Sequence, residues 1–366
     1  MRILVFTSRY TASRDIINEN FGRQVRLFEQ LAKSNEIDFF CADYKKLENK
    51  NTNLHGIRVF IRPFSPFRLL SFLSEFRKIL ENKKYDMIVA ASDPLWGVIG
   101  YHFAGKYKIK FVYDIQDDYR IYKSYKIPFF GLFERNIVRN SDLVMCASNV
   151  LVSDARKIRN KKTIMVPNGV DTNIFKPMAK QLSRKKLKLP LDAKIISYIG
   201  SVQKIQGVDI LMEAFEELKK EIKNIKLLIV GRIGTVNKEN FDFNKDGIIY
   251  LGSLPQKDVV FAINASDAIV IPYPKNIFTN VMFAPYKLVE FLACNKPVVI
   301  TDAGEMQKHI KDKRMVAKAG NVDDLKEKIK YALKLEKVNS RNATMKFEWK
   351  NIAKEMENNL LNAVNK

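Results

Sequence analysis

Histidine, tryptophan and cysteine are scarce in this 366-residue chain, which has three histidines, two tryptophans and three cysteines. Cys41, Cys146 and Cys294 lie far apart and match no metal-binding or redox spacing. We therefore expect buried free thiols and a protein kept in a reducing, cytoplasmic environment. No run approaches 18 consecutive apolar residues, so we expect no membrane-spanning helix. The apolar stretch 1–6 is too short for a signal peptide and predicts a buried first strand.

Acidic residues are outnumbered, since 63 Lys and Arg face 40 Asp and Glu and give a formal net charge of +23. The excess is spread over both halves of the chain. It favours anionic partners, such as a membrane surface, nucleic acid or phosphorylated small molecules. Solvated surface lysines are an equally ordinary source of this charge. Because no recognition motif accompanies the charge, we expect no nucleic-acid partner.

Short β-branched runs alternate with longer amphipathic stretches, which predicts parallel sheets covered by helices on both faces. The alternation stops at the basic segment 178–193 and then restarts. We therefore predict an α/β protein with two Rossmann-like domains, 1–177 and 194–345, joined by a linker at 178–193. The amphipathic segment 346–366 predicts a final helix. The predicted strands are 2–6, 37–42, 57–61, 87–91, 111–115, 143–147, 163–166, 195–199, 226–230, 248–251, 268–271 and 298–300.

Glycines lie at several predicted strand-to-helix junctions, where backbone amides can meet an anion. Gly22 opens a helix after the first strand, although a simple turn explains one glycine equally well. In the second domain a strand runs into Gly200 and Ser201, then into a loop with Lys204, and the next strand runs into Gly231. These elements suit phosphate and nucleoside contact. The sequence has no GxxxxGK[ST] loop, which argues against a P-loop nucleotidase.

Glu290 lies in the middle of an otherwise apolar helix predicted at 286–293. A carboxylate in such a place needs a partner, because an unpaired buried charge is costly. Two hydroxyls of a ribose would satisfy it. An ion pair with Lys287 across one helical turn would satisfy it too, and the residues alone leave both partners open.

Several segments, taken in order, resemble the retaining glycosyltransferases of family GT4. They are SDLVMCAS at 141–148, VPNGVDTNIFKP at 166–177, YIGSV at 198–202, GVDILMEAF at 207–215, LLIVG at 227–231 and the segment around Glu290. The resemblance covers almost the whole chain. It implies the GT-B fold, in which two Rossmann-like domains face each other across a cleft and the C-terminal helix crosses back to the first domain. It also implies sugar transfer from a UDP- or GDP-linked donor to an acceptor with retention of anomeric configuration, without a metal or other cofactor.

The resemblance also implies roles for single residues. Glu290 matches the glutamate that holds the ribose hydroxyls, the loop from Gly200 to Gly207 matches the diphosphate-facing loop, and Gly22 matches the first-domain glycine near the donor phosphates. The positions implied for the base are Gly231, Arg232 and Leu254. The whole predicted donor site comprises Gly22, Gly200, Ser201, Lys204, Gln206, Gly231, Arg232, Leu254, Lys287 and Glu290.

The chain departs from the family pattern at its acidic and histidine positions. The first glutamate of the family's pair falls at Met282. The usual active-site histidine falls at Gln116, beside Asp117 and Asp118, so Gln116 and Asp117 are the candidate catalytic residues.

The usual cations of the diphosphate loop are replaced as well. They fall near Ser201 and Gln206, which leaves Lys204 as the candidate substitute. First-domain arginines are further candidates: Arg9, Arg14 and Arg23. These departures keep two alternatives open, a GT-B nucleotide-sugar-binding protein without turnover and a GT-B nucleotide-sugar 2-epimerase. The epimerase would be expected to place carboxylates and a histidine in the cleft, but none of the three histidines lies in a matched motif.

Residues 65–84 offer the clearest indication of the acceptor. They predict a basic helix with one apolar stripe, a pattern typical of helices that lie on an anionic bilayer and equally of helices packed on a sheet. With the apolar stretch 127–133 and the net charge, this favours a peripheral membrane enzyme with a lipid-linked or glycan acceptor. The stripe comprises Leu69, Phe72, Leu73, Phe76 and Leu80.

Overall fold

Two separate, mostly parallel sheets organise the chain. The structure, a computed structural model, describes residues 1–11, 14–234, 241–335 and 338–364. It divides into unit 1, formed by Met1–Pro167 with Trp349–Lys366, and unit 2, formed by Asn168–Glu348. Each unit carries helices against its own sheet, so the chain has the predicted α/β class with two Rossmann-like domains.

The sheet of unit 1 is built from buried, β-branched and aromatic strands. The strands of this unit are β1 (Arg2–Ser8), β2 (Tyr10–Thr11), β3 (Arg14–Asp15), β4 (Glu36–Asp43), β5 (Lys50–Leu54), β6 (Ile57–Pro63), β7 (Met87–Ala91), β8 (Lys110–Ile115), β9 (Leu143–Cys146) and β10 (Thr163–Met165). Eight of them form one sheet in the order β10-β9-β8-β7-β1-β4-β6-β5, and β5 runs antiparallel to β6. Strands β2 and β3 pair separately.

Five helices of unit 1 connect these strands. They are α1 (Arg23–Leu31), α2 (Leu69–Asn82), α3 (Pro94–Tyr107), α4 (Phe130–Asn140) and α5 (Asn149–Arg156). Because each helix follows a strand, the helix starts lie near the carboxyl ends of the parallel strands. Polar side chains such as Ser8 and Asp43 lie at those ends, and the strands between their ends are mostly apolar.

Unit 2 repeats the plan with six parallel strands in the order β13-β12-β11-β14-β15-β16. These strands are β11 (Lys194–Ile199), β12 (Ile225–Val230), β13 (Ile248–Tyr250), β14 (Ala268–Ile271), β15 (Val298–Thr301) and β16 (Val316–Ala317). Its helices are α6 (Lys180–Lys186), α7 (Val208–Glu221), α8 (Gln256–Ala265), α9 (Ile277–Asn280), α10 (Tyr286–Ala293), α11 (Val322–Ala332) and α12 (Arg341–Thr344). The last helix, α13 (Trp349–Val364), belongs to unit 1 and packs against α1.

The twelve predicted strands are present, each within two residues of its predicted ends. The predicted linker 178–193 is wrong, because α6 lies there and packs against α8 within unit 2. Arg184 anchors this helix: it is buried, pairs with Asp267 at 2.7 Å and donates to the carbonyl of Ala265. A polar and basic composition therefore concealed a packed helix.

The boundary between the units also differs from the predicted one after residue 177. Residues 168–177 belong to unit 2, where the Val170 amide donates to the carbonyl of Phe347. The Arg341 guanidinium donates to the carbonyls of Thr172 and Phe175. These bonds attach the segment to unit 2 before β11 begins.

Candidate functional site

In unit 2, three glycines bring the ends of β11 and β12 and the start of α7 into backbone contact. Gly200, Gly207 and Gly231 have φ values of 153°, 74° and 144°, which other residues rarely adopt. A Cβ on Gly231 would overlap the carbonyl oxygen of Gly200, and one on Gly207 would overlap that of Pro272. The glycines therefore allow backbone segments to approach closely at the carboxyl edge of the sheet, and their own amides donate to the carbonyls of Val230, Lys204 and Gly252.

Lys287 of α10 extends into this loop. Its ammonium occupies the space that a Cβ on Gly200 would take, and it donates to Gln206 Oε1 at 3.2 Å. The ring centroids of Tyr198 and Tyr273 lie 5.0 Å and 4.9 Å from Nζ, within cation–π range. Burial lowers the pKa of Lys287, but the two tyrosine hydroxyls raise it more, so the net direction is upward. The ammonium is therefore charged at neutral pH.

Ser201 and Gln206 belong to the network that shapes the loop. The Tyr198 hydroxyl lies 2.6 Å from the carbonyl oxygen of Ser201 and 2.7 Å from Gln206 Oε1. Gln203 donates to the Ser201 hydroxyl at 2.7 Å. These two positions, at which the resemblance would put cations, instead carry neutral groups that fix the backbone.

Three other predicted donor-site residues are held less firmly. Lys204 and Arg232 are exposed, and within the described ranges neither side chain makes a hydrogen bond or an ion pair. Leu254 is half-buried and packs against the core of unit 2. Thus Lys287, rather than Lys204, is the lysine that the structure holds against the glycine loop.

Glu290 lies one turn after Lys287 on α10 and is half-buried. Its neighbours along the helix, Val289 and Phe291, are fully buried, which fixes the face on which the carboxylate lies. Lys287 forms no ion pair with any carboxylate in the part of the chain that the structure describes. The ion pair between Lys287 and Glu290, left open by the sequence, is therefore not formed.

Met282 stands near α10 where the resemblance would put a glutamate. It is half-buried and packs on the core of unit 2, and its carbonyl accepts from the Glu305 amide at 2.9 Å. Gly304, with φ of 59°, makes this approach possible, because a Cβ there would overlap the carbonyl oxygens of Thr279 and Met282. Sequence reasoning missed Gly304, although a glycine three residues after a buried strand was a signal for it.

In unit 1, the arginines suggested as cations for the donor form ion pairs with carboxylates of the same unit. Arg9 is fully buried and pairs with Asp43 at 2.8 Å, with Asp15 at 2.8 Å and with Glu48 at 3.0 Å. Lys50 and Arg9 lower the pKa of Glu48 to about 2. The suggestion that Arg9 serves as a spare cation is therefore wrong, since its charge is fully committed.

Arg14 and Arg23, the other two arginines suggested as cations for the donor, are also paired with carboxylates. Arg14 pairs with Glu19 at 2.7 Å. Arg23 is buried, pairs with Asp114 at 3.0 Å and donates to the carbonyls of Val166 and Pro167. These arginines organise unit 1.

Gly22 and Gln116 are brought close by one hydrogen-bonded chain. Gly22, with φ of 100°, immediately precedes α1. Gln24 in the first turn donates to Gln116 Oε1 at 2.8 Å, and Gln116 Nε2 donates to Asp114 Oδ2 at 2.7 Å. Because Asp114 also holds Arg23, one largely buried polar network joins the start of α1 to the end of β8.

Asp117 and Asp118 line a cavity of about 430 Å³ between α4, α5 and the loop after β8. Burial raises the pKa of Asp117, whereas the Arg120 guanidinium, 2.7 Å away, lowers the pKa of Asp118. Adjacent carboxyls with opposite shifts are suited to different protonation states at one pH. The two neighbouring carboxyls thus have pKa shifts of opposite direction.

Glu134 of α4 lines the same cavity and was not predicted. It is buried and accepts hydrogen bonds from the hydroxyls of Tyr113, at 2.6 Å, and Tyr125. Burial raises the pKa of Glu134 to about 7. Its position in a run of apolar and aromatic residues was the signal that could have revealed it.

The predicted membrane stripe on α2 is mostly wrong. Phe72, Phe76 and Leu80 are buried, and the rings of Phe72 and Phe76 stack against Phe6 of β1, so the stripe packs on the sheet. The most exposed apolar side chains of unit 1 lie instead at the starts of α2 and α4. They are Phe67, Leu70, Phe129, Leu132 and Phe133.

Three further observations limit the chemistry of the described residues. The three cysteines are buried and free. No helix in the described ranges is long and apolar enough to cross a membrane. Within those ranges there is also no group of three or more His, Cys, Asp or Glu that could hold a metal ion.

Two family models match the chain: Glycosyltransferase Family 4 over residues 25–174 and Glycosyl transferases group 1 over residues 179–348. TuaC of Bacillus subtilis, named as a teichuronic acid biosynthesis glycosyltransferase, is 28% identical over 190 residues, which are 51% of this chain and 45% of TuaC. A D-inositol 3-phosphate glycosyltransferase of Corynebacterium jeikeium is 26% identical over 188 residues, 47% of this chain and 43% of the relative. The chain therefore spans less than half the length of these curated relatives.

Solved structures match over nearly the full chain. Sucrose-phosphate synthase of Thermosynechococcus elongatus superposes with a TM-score of 0.76 at 17% identity, covering 99% of each chain. Anabaena HepE, solved in complex with UDP, has a TM-score of 0.75 at 15% identity, covering 99% of this chain and 100% of HepE. At such identities the likeness shows the fold alone. With the two family models, it shows that the chain belongs to the GT4-type glycosyltransferases and has the GT-B fold.

Proposed function

We propose that the chain is a retaining glycosyltransferase that takes a sugar from a nucleoside diphosphate and transfers it to an acceptor. One observation carries the proposal: closely packed glycine loops, a fixed ammonium and the Glu290 helix lie at the carboxyl edge of the unit 2 sheet. These groups match the chemistry of a diphosphate linked to a ribose. HepE, which has the same fold, was solved with UDP and with UDP-glucose, so UDP-linked sugars are the first donors to test.

The reaction breaks the bond between the anomeric carbon and the diphosphate oxygen. The acceptor oxygen attacks that carbon on the same face, and its proton passes to the leaving diphosphate. Fixed amides and cations stabilise the charge that develops on the diphosphate, so the residues of unit 2 suit a metal-independent reaction. Gln116 and Asp117 of unit 1 are the proposed partners of the transferred sugar or the acceptor.

For the acceptor, we propose a lipid-linked glycan reached at an anionic membrane surface. The five exposed apolar side chains at the starts of α2 and α4 support this. Segments 64–74 and 119–133 contain no acidic residue, and they carry basic residues such as Arg68 and Lys126. Apolar side chains flanked by positive charge suit the interface of an anionic bilayer, on its cytoplasmic face.

Vesicle sedimentation tests the membrane contact. We expect the wild type to bind vesicles containing phosphatidylglycerol and to bind pure phosphatidylcholine weakly. The variant F67S/L70S should lose most of this binding, whereas Leu182→Ser, which removes an exposed leucine of unit 2, should not. Equal binding by all three proteins would contradict the proposed surface.

A binding protein without turnover is the second candidate. It is favoured by Met282, Ser201 and Gln206, which replace charged residues implied by the resemblance. A 2-epimerase is the third, and it would release a free or epimerised sugar rather than a glycoside.

Two measurements separate these functions. The first is the melting temperature with UDP, GDP, ADP and their sugars, because a ligand of the native state raises it. The second is donor turnover with product analysis by NMR. A transferase gives a nucleotide-specific shift and a glycoside of retained configuration, a binding protein gives the shift without turnover, and an epimerase gives an altered free or nucleotide-linked sugar. No shift with any nucleotide would contradict all three.

A further inference from the structure

Lys287 differs from the other lysines near the unit 2 strand ends in how it is held. Its ammonium fills the space above the Gly200 backbone and is bracketed by the rings of Tyr198 and Tyr273. Gln206 Oε1 is its neutral hydrogen-bond acceptor at 3.2 Å. Several elements of unit 2 therefore converge to fix one positive charge at one point.

No carboxylate neutralises that charge among the residues that the structure describes. A half-buried ammonium held by neutral groups alone is costly, because it loses water without gaining a counter-ion. By contrast, Lys275 on the same unit is exposed and pairs with Asp302 at 2.7 Å. The charge of Lys287 is thus available to an external anion.

The loop itself has no other fixed cation. Between Gly200 and Gly207 the basic residue is Lys204, which is exposed and forms no side-chain contact in the described ranges. Positions 201 and 206 are neutral and are used to shape the backbone. A diphosphate bound over this loop would therefore meet the Lys287 ammonium as its fixed positive charge.

Resting on the proposed function, we infer that Lys287 supplies the positive charge that binds the donor diphosphate, in place of a cation in the loop. Helix α10 then carries two donor contacts one turn apart, Lys287 for the diphosphate and Glu290 for the ribose. The residue also neutralises the diphosphate as it leaves, so its loss lowers turnover as well as affinity.

Isothermal titration of Lys287→Met with a nucleoside diphosphate and with the matching nucleoside tests this inference. UDP and uridine are the first pair, and GDP or ADP with its nucleoside replaces them where the wild type prefers it. We expect the diphosphate to bind about 10- to 100-fold more weakly to Lys287→Met, since a charge-assisted bond is lost. The nucleoside, which has no phosphate, should bind nearly as it does to the wild type.

Two controls separate charge from structure. Lys275→Met removes an exposed lysine of the same unit and should leave both affinities unchanged. The double variant K287M/Q206K places an ammonium near the same point, because Gln206 Oε1 lies 3.2 Å from Lys287 Nζ. It should recover a large part of the diphosphate affinity without a change in nucleoside affinity.

Each outcome bears on a different claim. Diphosphate affinity equal in the wild type and Lys287→Met overturns the inference and leaves the proposed function standing. Equal losses for diphosphate and nucleoside overturn it as well, because they indicate that Lys287 only supports the shape of the loop. No binding of any nucleoside diphosphate to the wild type would overturn the proposed donor site and the inference with it.

Discussion

Positive charges at the carboxyl edges of the two sheets are handled in different ways. In unit 1, Arg9 is buried against three carboxylates and Arg23 against Asp114. In unit 2, Lys287 is held by two tyrosine rings and one amide oxygen, with no carboxylate pair among the described residues. These two arginines of unit 1 thus come with their counter-ions, whereas Lys287 is held by neutral groups.

Glu134 of unit 1 is the acidic counterpart of Lys287. Two tyrosine hydroxyls contact it, and within the described ranges it forms no ion pair. It differs in that burial raises the pKa of Glu134 to about 7, so this group resolves its charge by binding a proton. Lys287 instead keeps its charge near neutral pH, because Tyr198 and Tyr273 raise its pKa more than burial lowers it.

The largest effect should follow from removing a structural cation. We expect Arg9→Met to lower the free energy of unfolding by about 3–5 kcal/mol, because Asp43 remains buried without its partner. Arg14→Met is the matched control from the same loop, and its exposed pair should cost less than about 1 kcal/mol. Urea denaturation measures both free energies of unfolding. Similar losses in the two variants would contradict the distinction between a buried and an exposed ion pair.

Glu134 should make stability depend on pH. Because its pKa is raised from 4.5 to about 7, the folded protein retains a proton in this window that the unfolded chain has lost. Stability therefore falls as pH rises from 4.5 to 7 and is fully retained below that range. Relative to Glu134→Gln, the wild type should lose about 2–3 kcal/mol between pH 5 and pH 8. A constant difference between the two proteins in urea denaturation would refute this.

Gly200→Ala should imitate the loss of Lys287. The new Cβ would overlap the ammonium and displace it, and a φ of 153° is unfavourable for alanine. We expect about tenfold weaker binding of a nucleoside diphosphate, from the loss of one charge-assisted contact. Gly252→Ala is the control variant, because Gly252 also has a positive φ but a Cβ there would meet open space. Titration calorimetry should show a clear difference between the two variants.

Lys204→Met should have the smallest effect. An exposed lysine without fixed contacts gives only weak, screened attraction, so the diphosphate affinity should fall by about twofold or less. A loss as large as that of Lys287→Met would mean that the loop closes over the ligand with Lys204. The contrast between fixed and mobile cations would then fail.

Much of the fold follows from patterns that each segment carries by itself. Continuous apolar runs predict the buried strands because a parallel sheet covered on both faces admits no alternation. Strand β5, KNTNL, was missed because it is a polar edge strand, four of whose five residues are exposed. Helix α6 was taken for linker because its charges face solvent while Arg184 is buried by long-range contacts.

Site residues could be predicted only where the local sequence determines the backbone geometry. Gly200, Gly207 and Gly231 could be found because their backbone angles demand glycine. The partners of Lys287 and Arg9 could not be found, because they depend on which side chains distant segments bring together. The α2 stripe failed for a related reason: a bilayer and a sheet select the same periodicity.

The central claim is a donor site on α10 of unit 2, and titrating UDP into the wild type and Glu290→Ala tests it most directly. We predict binding to the wild type and at least about 100-fold weaker binding to the variant, since two hydrogen bonds from ribose hydroxyls to a carboxylate are lost. The melting temperature of the unliganded variant checks that the variant is folded. Equal affinity of the two proteins for UDP would contradict the claim.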